Sequence, residues 1–203
     1  MVSLIVVTFG LNVCLKLKKT AAIINDSFIV LIISGVSLVF CGLSHADDRY
    51  SFGVEYGDAN GEIETYQVDF VRNISAWFDE RVLNAGSRGI GTGLEMSALH
   101  WRHKSNELNG VSLGLRFDYE FHMPISRIFN PFAEYGLGVA LISDTTIGAR
   151  DMSSAFHFKN QLGLGLRTRH FDFFVRISHF SNASMAAPND GLDVLAVGVM
   201  FTY

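Results

Sequence analysis

The stretch Val111–Phe121 reads VSLGLRFDYEF, and it alternates between two kinds of side chain. Every second residue from Val111 onward is apolar, whereas the residues between them are charged, polar or glycine. Successive side chains of a β-strand point to opposite faces, so this period of two predicts a strand with one apolar and one polar face. The segment is also longer than an average strand of about 5 to 6 residues.

Seven further segments repeat the alternation along the chain. Together with Val111–Phe121 they make eight predicted strands, which is an even number. The other seven lie near Tyr50–Gly57, Tyr66–Phe78, Ile90–Met96, Glu134–Leu141, Phe156–Arg167, Phe173–Ser178 and Leu195–Tyr203.

Two architectures produce such a pattern. A soluble β-sandwich or lipocalin-like barrel buries its apolar face, whereas a transmembrane barrel turns that face toward lipid and keeps polar residues inside. Segment length favours the second, because a tilted membrane strand needs about 9 to 11 residues. The polar faces also carry charges of both signs among many glycines, which suits the crowded interior of an eight-stranded barrel. The sequence therefore predicts an all-β, eight-stranded antiparallel transmembrane β-barrel of the bacterial outer membrane.

The chain ends in Phe-Thr-Tyr, with Tyr203 on the apolar face of the last predicted strand. Bacterial outer-membrane barrels commonly end on such an aromatic residue, which their assembly machinery recognises. We therefore expect the barrel-assembly machinery to be a partner through Tyr203. The sequence does not fix the oligomeric state, and a homodimer is one open alternative.

Residues 1–46 resemble a secretory leader rather than part of the barrel. Lys16, Lys18 and Lys19 precede the apolar run Phe28–Leu43, and Ser44-His45-Ala46 offers small residues for cleavage. The front end is long for a signal peptide, so a start codon downstream of Met1 is an alternative. A retained anchor is another, although the run is shorter than the roughly 20 residues of a spanning helix. We expect residues 1–46 to be a cleaved signal peptide and residues 47–203 to be the barrel.

The composition of the predicted mature chain excludes two classes of protein. The whole chain has 16 basic and 20 acidic residues, and the leader holds three basic residues and one acidic residue. The acidic balance of the remainder argues against a nucleic-acid partner. Both cysteines, Cys14 and Cys41, fall in the leader, so no disulfide framework is expected.

One polar triplet lies on an apolar face. His179 and Ser181 continue the odd-numbered apolar series of the seventh segment, and Asp193 continues that of the eighth. Because these two segments are sequential and antiparallel, their ends bring the three side chains together on the outer surface. A hydroxyl, an imidazole and a carboxylate on one face meet the needs of an activated nucleophile. The alternative is that they mark the rim of the apolar band, where polar side chains are tolerated.

The stretch His179-Phe180-Ser181-Asn182-Ala183, followed by Pro188-Asn189-Asp190-Gly191 and Asp193, resembles the C-terminal signature of the PagL family. Members of that family are lipid A 3-O-deacylases of the Gram-negative outer membrane. The resemblance implies that Ser181 is the nucleophile, His179 the general base and Asp193 the orienting acid. It also implies a supporting role for Asn189, and an oxyanion hole at Asn182 and the backbone after it.

Two positions depart from the family pattern. The acid expected by resemblance is glutamate, whereas Asp193 is one methylene shorter, and Asp190 is an alternative carboxylate. Ser184 stands where the family has glycine.

The resemblance implies a hydrolase that removes the ester-linked 3-hydroxyacyl chain at the 3-position of lipid A. Lipid A, as part of lipopolysaccharide, would be the substrate, and the site would lie at the outer leaflet. No cofactor motif is visible, and the chemistry needs no metal. Two alternatives remain open: a non-enzymatic structural or adhesion barrel, and an outer-membrane phospholipase with the same triad.

Overall fold

The computed structural model describes residues 49–74, 90–121 and 128–202. Ten strands occur in these ranges, and eight of them are long. The predicted leader and the terminal Tyr203 lie outside the described residues, so the expectations about cleavage and barrel assembly stay predictions. Within the described ranges, no helix has the length and apolar character that crossing a membrane requires.

The eight long strands form a closed antiparallel barrel in which each pairs with its neighbours along the chain and the first pairs with the last. Each of the eight predicted segments overlaps one of these strands, and the antiparallel barrel is confirmed. The part of the second segment that is predicted to run to Phe78 lies outside the described residues. The strands are β1 (Tyr50–Ala59), β2 (Ile63–Asn73), β3 (Gly91–His103), β4 (Asn106–Glu120), β5 (Asn130–Ile142), β8 (Phe156–Arg167), β9 (Phe171–Ser181) and β10 (Leu192–Thr202).

The two remaining strands are short, and the sequence pattern does not predict them. β6 (Thr146–Ile147) and β7 (Arg150–Asp151) pair with each other in the connection between β5 and β8. We call this connection, residues 143–155, the strap. It lies at the same end of the barrel as the turns that follow β1 and β3 and as residues 182–191, which join β9 to β10 and are called the site loop below.

The outer face is apolar, as the transmembrane alternative requires. Large side chains such as Leu113, Leu164 and Val175 are about half exposed, with relative exposures of 50%, 63% and 50%. Aromatic pairs lie near both ends of this face, at Phe156 with Phe158 and at Phe171 with Phe201. This arrangement is that of a barrel whose outer surface meets lipid between two interfacial belts.

Charged side chains fill the middle of the lumen. Arg176 is fully buried, and its guanidinium group lies 2.6 Å from Glu134 and 3.1 Å from Asp69, and also contacts Glu55. Lys159 lies 3.2 Å from the carboxylate of Glu95. The predicted polar interior is therefore present, and its charges are paired, as buried charges must be.

The lumen is not polar along its whole length, contrary to the simple alternation. At the end that carries the site loop, inward-facing side chains form an apolar plug, and Ile147 and Met152 of the strap are fully buried in it. Burial of this apolar surface fixes the strap, the end of β9 and the first residues of β10 against one another. The plug comprises Ala59, Ile63, Leu99, Trp101, Leu108, Ala140, Ile142, Ile147, Met152, Phe180, Leu192, Val194 and Ala196.

Candidate active site

The pairing of β9 with β10 sets the position of two of the predicted site residues. Asp193 is the direct cross-strand partner of His179. Their inward-facing neighbours Phe180 and Leu192 are buried in the apolar plug, so the two polar side chains must point outward. The sequence prediction that both face the outer surface agrees with this geometry.

A short hydrogen bond joins the imidazole to the carboxylate. His179 Nδ1 lies 2.7 Å from Asp193 Oδ1, which makes Nδ1 the donor when it carries the ring hydrogen. The other ring nitrogen, Nε2, is then free to accept a proton. Both side chains are open to the outside, with exposed fractions of 47% and 72%. The aspartate therefore reaches the imidazole although it is one methylene shorter than glutamate.

Ser181 lies two residues beyond His179, on the same face of β9. Residues two apart on a strand are separated by about 6.6 Å along it. Among the described residues, no hydrogen bond joins Ser181 Oγ to the imidazole. In enzymes without bound substrate, such contacts are often long and tighten only in the complex.

Gly191 closes the space beside the imidazole and the serine. A Cβ atom at this position would lie 3.4 Å from His179 Cε1 and 3.9 Å from Ser181 Cβ. The residue has a φ of +57°, a left-handed conformation in which glycine is favoured. The backbone conformation, rather than a lack of space, therefore favours glycine at the end of the site loop, beside the two polar side chains.

The predicted supporting residues Asn182 and Asn189 are bonded to each other. The backbone N–H of Asn182 donates to Asn189 Oδ1 at 3.2 Å. The buried side-chain amide of Asn182 donates to the carbonyls of Met152 and Ala186, each at 3.1 Å. Both residues therefore fix the start of the site loop, and the N–H groups of Asn182 are already engaged.

The alternative acid, Asp190, has other partners. Its Oδ2 accepts a hydrogen bond from the backbone N–H of Asp151 at 2.8 Å, and its own N–H donates to the carbonyl of Asp151 at 3.3 Å. The structure thus pairs Asp190 with the strap, whereas Asp193 is the carboxylate that contacts His179.

Two neighbouring features are absent from the sequence predictions. The strap contacts the site loop through Arg150, Asp151 and Met152, and no local pattern indicates which loop it meets. Asn160 of β8 is the cross-strand partner of His179 on the side opposite Asp193, and it accepts a bond from Tyr135 Oη at 3.4 Å. Position 160 interrupts an even-numbered apolar series, so that gap was a signal for an additional outward polar residue.

In the described part of the chain, no group of three or more His, Cys, Asp or Glu residues is arranged to hold a metal ion. The arrangement instead contains the parts of nucleophilic acyl transfer: a hydroxyl, an imidazole and an orienting carboxylate.

Comparison with known proteins agrees with the fold and with the resemblance in the sequence. The family model described as "Lipid A 3-O-deacylase (PagL)" matches residues 64–202. The chain is 37% identical over 86 residues to the lipid A deacylase PagL of Pseudomonas aeruginosa, a match that covers 42% of this chain and 48% of that protein. It is 40% identical over 73 residues to the lipid A deacylase PagL of Bordetella bronchiseptica, covering 36% and 40% respectively.

These alignments span about half the length of the curated relatives or somewhat less. A solved structure, described as that of the outer membrane enzyme PagL, superposes with a TM-score of 0.63 at 23% identity. It covers 74% of this chain and 97% of the other, and it supports the shared fold. Because the family model extends over most of the barrel, from β2 to β10, the chain belongs to the PagL family.

Proposed function

We propose that this protein is an outer-membrane hydrolase that removes the ester-linked 3-hydroxyacyl chain from the 3-position of lipid A. The observation that carries the proposal is the 2.7 Å bond between His179 and Asp193 on the outer surface, with Ser181 on the same face. A structural barrel gains nothing from grouping these three polar side chains where an apolar surface is expected. Membership of the PagL family supports lipid A as the substrate.

In the proposed reaction, Ser181 Oγ attacks the carbonyl carbon of the ester and His179 Nε2 accepts the hydroxyl proton. Asp193 keeps the second ring nitrogen protonated and stabilises the imidazolium that forms. The tetrahedral intermediate collapses when the sugar oxygen leaves with the proton from Nε2, and an acyl-enzyme results. Water then attacks the acyl-enzyme by the same steps, releasing the 3-hydroxy fatty acid and regenerating Ser181.

Backbone amides of the site loop are the proposed oxyanion donors. Asn182 is a poor donor, because its backbone and side-chain N–H groups already bond to Asn189, Met152 and Ala186. The amides of Ala183 and Ser184 come next and have no acceptor among the described residues. Such a donor typically contributes about 3 to 4 kcal/mol of transition-state stabilisation. Asn182 and Asn189 would support this hole by fixing the loop rather than by donating to it.

The surroundings of the triad suit a lipid ester. Ile177 and Leu195 face outward next to the site residues along β9 and β10, with exposed fractions of 55% and 56%. Phe158 is the cross-strand partner of Ser181 on β8 and also faces outward. An acyl chain could therefore lie on an apolar surface while its ester reaches Ser181. A glycerophospholipid offers similar chemistry, so substrate class is part of the experiment.

The experiment is mass spectrometry of lipid A from cells that express the wild type, Ser181→Ala or Ser178→Ala. Ser178 is a matched control, because it lies on the same strand but is buried in the lumen. We expect wild type and Ser178→Ala to remove one 3-hydroxyacyl chain, and Ser181→Ala to remove none. Full deacylation by Ser181→Ala would refute the nucleophile, and lysophospholipid with intact lipid A would refute the substrate.

A further inference from the structure

The strap contacts both ends of the site loop. At the start of the loop, the side chain of Asn182 donates to the carbonyl of Met152, at 3.1 Å. Near its end, Asp190 exchanges hydrogen bonds with the backbone of Asp151. Met152 is fully buried in the apolar plug, so the strap is itself held by the barrel. It is therefore a fixed support against which the site loop is positioned.

Arg150 contacts the end of the site loop that lies beside the proposed site. Its Nη1 donates to the carbonyl of Asp190 at 3.0 Å and to the carbonyl of Gly191 at 2.8 Å. With the Asn60 amide oriented to place its oxygen toward the guanidinium, that oxygen also accepts from Nε, at 3.2 Å, and from Nη2. The planar guanidinium thus joins the β1–β2 turn, the strap and the site loop.

The position of the Gly191 backbone affects the geometry of the proposed site. Gly191 lies against His179 and Ser181, and it precedes Asp193 by two residues. A shift of the Gly191 backbone would change both the space beside the imidazole and the approach of the Asp193 carboxylate. Misplacement of a catalytic group by about 1 Å can lower a rate by roughly 100-fold.

We propose that Arg150 is a positioning residue for the Ser181–His179–Asp193 site. It acts through the carbonyls of Asp190 and Gly191, which hold Asp193 at hydrogen-bond distance from the imidazole. This inference rests on the proposed function, since it assigns Arg150 to the same site.

A competing role for Arg150 would be direct binding of a substrate phosphate. The hydrogen-bond inventory argues against it. A guanidinium group has five N–H donors, and four of them have acceptors in this arrangement: the carbonyls of Asp190 and Gly191, and twice the oxygen of Asn60. A phosphate that takes two N–H groups of Arg150, as a bidentate pair does, would have to displace at least one of these bonds. The two roles predict different kinetics, because lost ground-state binding raises KM, whereas lost positioning lowers kcat.

The test compares Arg150→Met and Arg150→Lys with Arg102→Met in the full-length protein. Arg102 is a matched control, because it is a partly exposed arginine paired with Glu64 on a different part of the barrel. We expect Arg150→Met to lower kcat for lipid A deacylation by roughly 10- to 100-fold with little change in KM. Arg150→Lys keeps a cationic donor and should lose less, and Arg102→Met should match the wild type. A raised KM with unchanged kcat would overturn the proposal.

A second readout does not depend on lipid A. A fluorophosphonate probe phosphonylates an activated serine hydroxyl with loss of fluoride, and its rate at Ser181 reports the state of the triad. We expect Arg150→Met to slow this rate in the wild-type background but to change it by less than about twofold beside Asp193→Asn. Equal fold losses in both backgrounds would refute positioning through Asp193. If Arg150→Met does not show the heat-modifiable migration of a folded barrel, the probe rates of Arg150→Lys, with and without Asp193→Asn, replace it in this comparison.

The two proposals can fail separately. A wild type that leaves lipid A intact but reacts with the probe in an Arg150-dependent way would refute only the substrate. Equal probe rates in the wild type and Arg150→Met, with lipid A deacylated, would refute only the role of Arg150.

Discussion

Phe180 packs edge-on against Trp101 inside the barrel, with ring centroids 4.9 Å apart and an interplanar angle of 72°. Its two neighbours in sequence, His179 and Ser181, face outward. Because side chains alternate along a strand, burial of this ring fixes the direction in which both polar residues point. The segment from His179 to Ser181 thus contributes its middle side chain to the apolar plug and its two outer side chains to the candidate site.

Replacing Phe180 with alanine should destabilise the barrel and impair the site together. Loss of a buried phenyl ring typically lowers the free energy of unfolding by about 3 to 5 kcal/mol. Urea unfolding in lipid vesicles measures the change. Phe173→Ala is the matched control, since this ring is on the same strand but 49% exposed on the outer face, and it should have a much smaller effect. Equal losses in the two variants would contradict the role of the plug.

Arg176 should be essential for stability although it faces the lumen, on the opposite side of β9 from His179 and Ser181. Its removal in Arg176→Met leaves several buried carboxylates without their main cation, which typically costs about 3 to 5 kcal/mol. Arg102→Met breaks a partly exposed pair and should lower the free energy of unfolding far less, because solvent screens such a pair. Urea unfolding of both variants provides the comparison. A stable Arg176→Met barrel would mean that these carboxylates are neutral or find other partners. The carboxylates around Arg176 are those of Glu55, Asp69, Glu95 and Glu134.

Alternation alone predicted the barrel because a period of two determines which residues share a face, and each barrel strand buries one face. It did not predict the apolar plug. Near the site end, inward residues such as Trp101, Leu108 and Leu192 are as apolar as those outside, so hydrophobicity no longer separates the two faces. The plug exists because the strap covers that end of the lumen, which depends on contacts distant in sequence.

The sequence likewise predicted one part of the candidate site and not another. The prediction that His179, Ser181 and Asp193 share the outer surface needed only strand parity, and it agrees with the structure. The contact from Arg150 to Gly191 joins residues 41 positions apart across two loops, and no periodicity reports on it. The roles of the site residues stay predictions, and the next two substitutions bear on them.

Asp193 should be the acid that orients His179. Asp193→Asn is expected to lower deacylation by roughly two to four orders of magnitude with the barrel intact, because the amide favours the wrong imidazole tautomer. Asp193→Glu should cause a moderate loss, since the aspartate already reaches Nδ1 at 2.7 Å and a longer arm must bend to fit. Asp190→Asn is the control and should be milder, because it keeps an acceptor for Asp151. Lipid A turnover measures all three, and wild-type activity in Asp193→Asn would refute the assignment.

Ser184→Gly should stabilise the site loop. Ser184 has a φ of +63°, which for a residue other than glycine carries a strain of about 1 to 2 kcal/mol. Its exposed side chain makes no hydrogen bond among the described residues, so little is lost with it. We expect the variant to retain activity and to protect the loop amides from hydrogen exchange more strongly. A large loss of turnover would show instead that the hydroxyl itself takes part.

The site loop should lie at the cell surface, with the opposite mouth of the barrel in the periplasm. Met185 is 61% exposed in the site loop, and His170 is exposed in the β8–β9 turn at the other end. The predicted mature chain has no cysteine, so one introduced thiol gives a clean signal. Met185→Cys should react with a membrane-impermeant maleimide on intact cells, whereas His170→Cys should react only after the outer membrane is permeabilised. The reverse pattern would place the triad in the inner leaflet, away from the lipid A of the outer leaflet, and would overturn the proposed function along with the topology.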